Sequence, residues 1–212
     1  MKMLKLFKLK ISSIIKNFLN KFNYRIDHAN TWLKRKENYI SEISTNEQEI
    51  LENIQPFTMT TASNHWAIIQ SLKHIKENDI KGDIVECGVY KGGNLILFKK
   101  IMDQLGLDKK IFAYDTFEGM PEPSKFDRDL KNIDAAQTFK NYKKANIKWC
   151  YSDLNDVKKN ISHFKIDTDK NFSFIKGKVE DTLIVETNLP EKISLLRLDT
   201  DFYQSTKIEL EV

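Results

Sequence analysis

At roughly 150 residues per domain, a chain of 212 residues holds one domain with an extension, or two small domains. Its 41% hydrophobic and 30% charged residues supply enough apolar material for a packed core, which excludes wholesale disorder. A net charge of +4 is too small to mark the whole surface for nucleic acid, and no apolar run reaches the ~20 residues of a bilayer span.

Residues 1–26 contain Lys2, Lys5, Lys8, Lys10, Lys16, Lys21 and Arg25 and no acid. Leu4, Phe7, Ile11, Ile14, Ile15, Phe18, Leu19 and Phe22 recur at three- and four-residue steps, so an amphipathic helix with a basic face is predicted. Lysines interrupt the apolar block that a secretory signal needs. Such a helix suits an anionic membrane surface or a protein partner, either its own domain or a second copy; periodicity does not separate them. A second, polar helix is predicted over 44–53, with Ser44 and Glu47 forming a capping box. Pro56 is expected to turn Gln55 out of helical conformation and end it. Residues 1–55 thus read as a helical extension and 56–212 as the core domain.

In the core, a helix runs from Ser63 or Asn64 to about Glu77, with Trp66, Ile69, Leu72 and Ile75 as its buried stripe. Residues 83–89 form an apolar strand, followed by Gly92 and Gly93 and a helix that closes at Gly106. A second strand covers 111–114 and ends at Asp115. A charged loop over 118–128, rich in Gly and Pro, is expected to be mobile. Helices are predicted over 135–144 and 153–164, strands over 172–175 and 193–198, and a last helix from near Tyr203. Two cysteines, Cys87 and Cys150, make no disulfide framework, which suits a reducing, cytoplasmic compartment.

Strands alternating with helices indicate an α/β fold with a parallel sheet, in which ligands bind outside the carboxyl ends of the strands. Glu86, Gly88, Asp115, Glu180, Asp181, Asp199 and Asp201 should gather along that rim. The turn at 88–93 is not the Gly-x-Gly-x-x-Gly fingerprint, so a dinucleotide is poorly supported. A carboxylate at Glu86 repels phosphate but suits an ammonium, and Asp115 is placed to accept from a ribose diol. Ribose, ammonium and no phosphate together describe S-adenosylmethionine, although each signal alone also fits plain α/β packing.

Four segments carry a family resemblance: GDIVECGVYKGG at 82–93, YDTFEGMP at 114–121, GKVEDTL at 177–183 and LRLDTDFYQST at 196–206. With FTMT at 57–60, they resemble the macrocin O-methyltransferase (TylF/MycF/NovP) family, in order, from Phe57 to the C-terminus. The resemblance implies a Rossmann-like class I methyltransferase fold, S-adenosylmethionine and Mg²⁺ as cofactors, and a sugar or glycoside acceptor. It implies that Glu86, Gly88, Tyr90 and Gly92 hold the methionine end, Asp115 with Thr116 the ribose, and Glu180 and Asp181 the adenine. Asp199 would be metal ligand and general base, and Asp201 a second ligand or neighbour. A sugar hydroxyl is a poor nucleophile, and a hard cation with carboxylate ligands can orient it and lower its pKa. The family pattern continues with an Asp-Asp pair on a further strand. The expectation is therefore a C-terminally truncated chain with weak Mg²⁺ binding and poor turnover.

Other readings compete at the same residues. Asp199 or Asp201 could merely cap the last helix. Asp199-Thr200-Asp201 also matches the Asp-x-Asp of metal-dependent glycosyltransferases, and a non-catalytic, membrane-associated fragment would use only residues 1–26. His28, His65, His74 and His163 show no ligand spacing and read as structural or solvent-facing. Cys87 reads as core, and Arg197 within a strand requires a charge partner that the sequence does not name.

Overall fold

The computed structural model describes residue 40, residues 42–129 and residues 131–212. The predicted helix over 1–26 and His28 lie outside the described residues. Residues Glu42–Val212 form one compact unit. No helix among the described residues is long and apolar enough to cross a membrane.

Helix α1 (Thr45–Ile54) opens on the expected capping box. Glu47 N–H donates to Ser44 Oγ (3.4 Å), and Ser44 N–H donates to Glu47 Oε2 (2.8 Å). Its buried Leu51 and Ile54 pack it onto the core, so α1 belongs to the compact unit and not to an extension ending at residue 55. Pro56 does not expel Gln55 from helical space: Gln55 has φ −50° and ψ −36° and opens a 3-10 turn, Gln55–Phe57. Proline is tolerated at such a first turn because its missing N–H would have had no partner there.

Helix α2 (Ala62–Glu77) is capped by Thr61, whose Oγ1 accepts from Asn64 N–H, rather than by Ser63 or Asn64. It buries His65, Ile68, Ile69, Leu72 and Ile75, while Trp66 is only half-buried. Strand β1 (Asp83–Cys87) leads into α3 (Gly93–Leu105), which stops at Gly106 in left-handed conformation (φ 63°). The remaining elements are β2 (Ile111–Asp115), α4 (Ala135–Lys144), α5 (Leu154–His163), β3 (Phe172–Lys176), the short α6 (Val179–Thr182), β4 (Ile193–Leu198) and α7 (Tyr203–Glu211).

The four strands among the described residues are parallel, in the order β3-β2-β1-β4. Strands β1 and β2 are buried along nearly their whole length, as parallel strands covered on both faces must be. Val85, Cys87, Phe112, Tyr114, Ile175, Val179 and Leu183 form one core cluster. The chain winds from β1 to β2 and β3 on one side, then returns to place β4 on the other. That reversal beside β1 leaves a crevice at the carboxyl ends, where open α/β sheets bind ligands.

Candidate active site at the carboxyl ends of the strands

The turn after β1 and the end of β4 touch. Gly88 has φ +89°, and a Cβ there would lie 2.3 Å from the Asp199 carbonyl oxygen, so only glycine fits. Asp115 fixes the other side of that turn. Its Oδ2 accepts Val89 N–H (2.7 Å) and Tyr90 N–H (3.1 Å), and its Oδ1 accepts Phe117 N–H (2.7 Å). Thr116 Oγ1 approaches Asp115 Oδ1 at 3.4 Å but has one proton, which it donates to the Gly119 carbonyl at 2.7 Å. A carboxylate offers about four acceptor positions, so one on Asp115 Oδ1 stays open.

A cleft of about 110 Å³ lies above this turn. Of the residues expected at the rim, Gly88, Tyr90, Asp115, Thr116, Glu180, Asp199 and Asp201 line it, with Met59, Met120 and Ser205 among their neighbours. Glu180 is oriented by Ser205, whose Oγ donates to Glu180 Oε1 at 2.8 Å.

Three expected residues are elsewhere. Gly92 is the buried N-terminal cap of α3, where a Cβ would press on Val157 of α5 at 3.1 Å, so packing alone accounts for its glycine. Asp181 is exposed on α6 and does not line the cleft. Glu86 is fully buried beneath it. Glu86 Oε1 accepts from Asn94 Nδ2 (3.0 Å) and Arg197 Nη1 (2.9 Å), and Oε2 has no hydrogen-bond partner. Burial raises its carboxyl to about 7 against the opposing pull of Arg197.

Arg197 is the partner-seeking arginine, and it has two carboxylates. Its Nη2 donates to Asp199 Oδ2 (2.7 Å) and, at 3.3 Å, to Thr60 Oγ1. Glu86 therefore reaches the cleft only through Arg197 and Asp199. His65 is buried, and its imidazole is lowered to about 4 by burial and by the Arg197 charge.

Neither Asp199 nor Asp201 caps α7. The helix has no side-chain cap of its own, and its first N–H, on Tyr203, donates to Asp127 Oδ1 at 2.7 Å. The same carboxylate accepts from Ser124 N–H and Oγ, so the 118–128 loop, expected to be mobile, is tethered. Burial and then the Asp199 charge raise the Asp201 carboxyl. Behind this turn, the buried Glu209 carboxyl lies near Thr200 and Cys87 without a well-formed hydrogen bond and is raised to about 7, first by burial. Burial and the nearby Glu209 push the Cys87 thiol up.

Among the described residues, Asp199 and Asp201 do not by themselves complete a Mg²⁺ site. Asp199 already shares an oxygen with a guanidinium, and among the described residues no group of three or more His, Cys, Asp or Glu could hold a metal. Asp127, Asn94, Thr60 and Glu209 were not singled out by sequence reasoning. The signal for Arg197 was available: Glu86 and Arg197 are unexplained charges in two apolar strand segments, and β1–β4 register sets them side by side.

The model of the family described as Macrocin-O-methyltransferase (TylF) matches residues 16–212. The demethyldecarbamoylnovobiocin O-methyltransferase of Streptomyces niveus is 25% identical over 84% of this chain and 64% of its own length. The mycinamicin III 3''-O-methyltransferase of Micromonospora griseorubida is 28% identical over 65% of this chain and 53% of its own. The chain thus spans between about half and just under two thirds of these curated relatives. Among solved structures, the O-methyltransferase NovP superposes with a TM-score of 0.59 at 24% identity, covering 73% of this chain and 60% of NovP. The calicheamicin methyltransferase CalS11 gives 0.50 at 18%, covering 89% and 74%. These likenesses establish a Rossmann-like methyltransferase fold. With the family model spanning nearly its whole length, the chain belongs to the macrocin O-methyltransferase (TylF) family.

Proposed function

We propose that the protein is an S-adenosylmethionine-dependent O-methyltransferase acting on a sugar hydroxyl. The observation that carries this reading is the convergence of Gly88, Asp115, Glu180 and Asp199, from four separate segments, on one cleft at the strand-order reversal. The sugar acceptor is supported by a relative from Streptomyces olivaceus, 28% identical over 62% of this chain, whose name specifies a rhamnosyl group methylated at the 4' oxygen.

When bound, S-adenosylmethionine supplies an electrophilic methyl on a sulfonium. The open acceptor position of Asp115 Oδ1 takes a ribose hydroxyl, and the backbone of 88–90, fixed by Asp115 Oδ2, borders the methionine end. Glu180 borders the adenine. Methyl transfer is an in-line displacement in which positioning supplies much of the rate. Transfer of that methyl to an acceptor oxygen would release S-adenosylhomocysteine, a neutral thioether, and Asp199 would take the hydroxyl proton. Arg197 holds Asp199 Oδ2, leaving Oδ1 for that proton. Mg²⁺, which the family resemblance implies, is assigned no step because the described donors do not complete a site.

Incubating the protein with methyl-labelled S-adenosylmethionine and a panel of rhamnosides and other deoxysugar glycosides tests the reading. Label should appear in an ether on the sugar, and Asp199→Asn should slow transfer by about 10²–10⁴-fold. Label in a protein side chain or an amine, with none on any glycoside, would overturn the sugar assignment.

A further inference from the structure

We propose that Asp127 is a positioning residue that locks the 120–128 loop and the Asp199–Asp201 turn into one unit, forming the acceptor edge of the cleft. The acceptor assignment rests on the function proposed above; the mechanical lock does not.

Asp127 is only 6% exposed although it belongs to a charged loop. Its Oδ1 accepts Tyr203 N–H (2.7 Å), and its Oδ2 accepts Ser124 N–H (2.6 Å) and Ser124 Oγ (2.8 Å). Its carbonyl accepts Ala135 N–H at 2.9 Å, at the start of α4. One residue therefore ties the loop to the N-termini of two helices. A buried carboxylate accepting only N–H and O–H donors makes charge-assisted hydrogen bonds, stronger than neutral ones.

Helix α7 has no side-chain cap of its own. A local Ser, Thr or Asp cap would hold the helix start from within its own turn. The helix instead takes its acceptor from a residue 76 positions away. Thr200 and Asp201 are thereby left out of capping, and Asp201 adopts φ +67°, a conformation costly for a non-glycine residue and held only by its surroundings.

A further strap runs in the same direction. Met120 N–H donates to the Trp149 carbonyl at 2.9 Å, and the Trp149 ring meets Phe202 edge-on at 6.1 Å. The Phe126 and Tyr203 rings lie 5.3 Å apart. The two ring contacts join the loop, or the segment that holds it, to residues 202–203, directly after Asp201. Met120 and Pro121 on one side and Asp199 and Asp201 on the other line the same cleft. Displacement of the loop is thus transmitted to the carboxylates through Asp127.

Amide hydrogen exchange of the full chain tests the lock without a ligand. Asp127→Ala should speed exchange about ten-fold at Tyr203, at 200–202 and in the 120–127 loop together. Asp127→Asn keeps an oxygen acceptor for Tyr203 but turns an N–H toward Ser124, so it should restore protection at 200–203 and not at Ser124. Ser124→Ala removes only the hydroxyl link and should raise exchange in both regions by a smaller factor, which keeps the proposal testable if Asp127→Ala does not fold. Faster exchange in the loop with wild-type protection at 200–203 would overturn the lock. S-adenosylhomocysteine affinity, measured by calorimetry on the same variants, should stay within about twofold. Failure of the wild-type chain to bind it would sink the methyltransferase reading and leave the exchange result standing.

Discussion

Asp115 and Asp199 end the two strands that flank β1, and both line the same cleft, yet they are held in opposite ways. Asp115 is fixed by backbone amides, two from the turn after β1 and one from its own strand end. Asp199 is fixed by one guanidinium, itself tied to a buried carboxylate, and its turn is followed by a helix capped from a distant loop. The donor side is therefore held by main-chain amides gathered on a single carboxylate. The acceptor side depends on particular charged side chains. Substitution should separate the two.

The largest effect is expected at Arg197. Arg197→Met leaves Glu86 fully buried with no counter-charge and should cost about 3–5 kcal/mol in urea unfolding. Adding Glu86→Gln should recover at least half of that loss; no recovery would mean that Arg197 acts through packing alone. On the donor side, Asp115→Ala removes the acceptor of three backbone amides and should cost about 2–3 kcal/mol, while weakening S-adenosylhomocysteine binding more than ten-fold by calorimetry.

These two effects also mark what the sequence could reveal. Ser44 with Glu47, Gly106, and the short apolar runs ending in Asp115 and Asp199 are local signals, and the structure places helix ends and strands where they point. Most of the rim was legible for the same reason: residues at strand ends share an edge once the sheet is parallel. Side-chain partners across the sheet were not. Whether Glu86 faces the cleft or Arg197 depends on β1–β4 register, and the Asp127–Tyr203 bond depends on where a loop crosses the rim. Gln55 shows the limit of a local rule: the α-helix ends at Ile54, before Pro56 as expected, yet Gln55 keeps helical dihedrals in the 3-10 turn that follows.

Two smaller effects sharpen the comparison. Behind the acceptor turn, the Glu209 carboxyl is raised from 4.5 to about 7. Between those values the folded chain keeps a proton that the unfolded chain releases. The stability this contributes is complete below about pH 4.5 and is lost as pH rises through about 7. Glu209→Gln should remove a decline on the order of 1–2 kcal/mol across that window in unfolding curves measured at several pH values. An unchanged slope would place the titration elsewhere. Far from the cleft, Ser44→Ala breaks the α1 capping box and should cost about 1 kcal/mol, with no change in ligand affinity.

Calorimetry of the full chain with S-adenosylhomocysteine, set against a nucleoside diphosphate plus Mn²⁺, tests the central claim most directly. Saturable binding of S-adenosylhomocysteine, weakened by Asp115→Ala, and no heat from the nucleotide is the expected result. Nucleotide–Mn²⁺ binding that Asp199→Ala abolishes, with no response to S-adenosylhomocysteine, would contradict it and assign the cleft to glycosyl transfer.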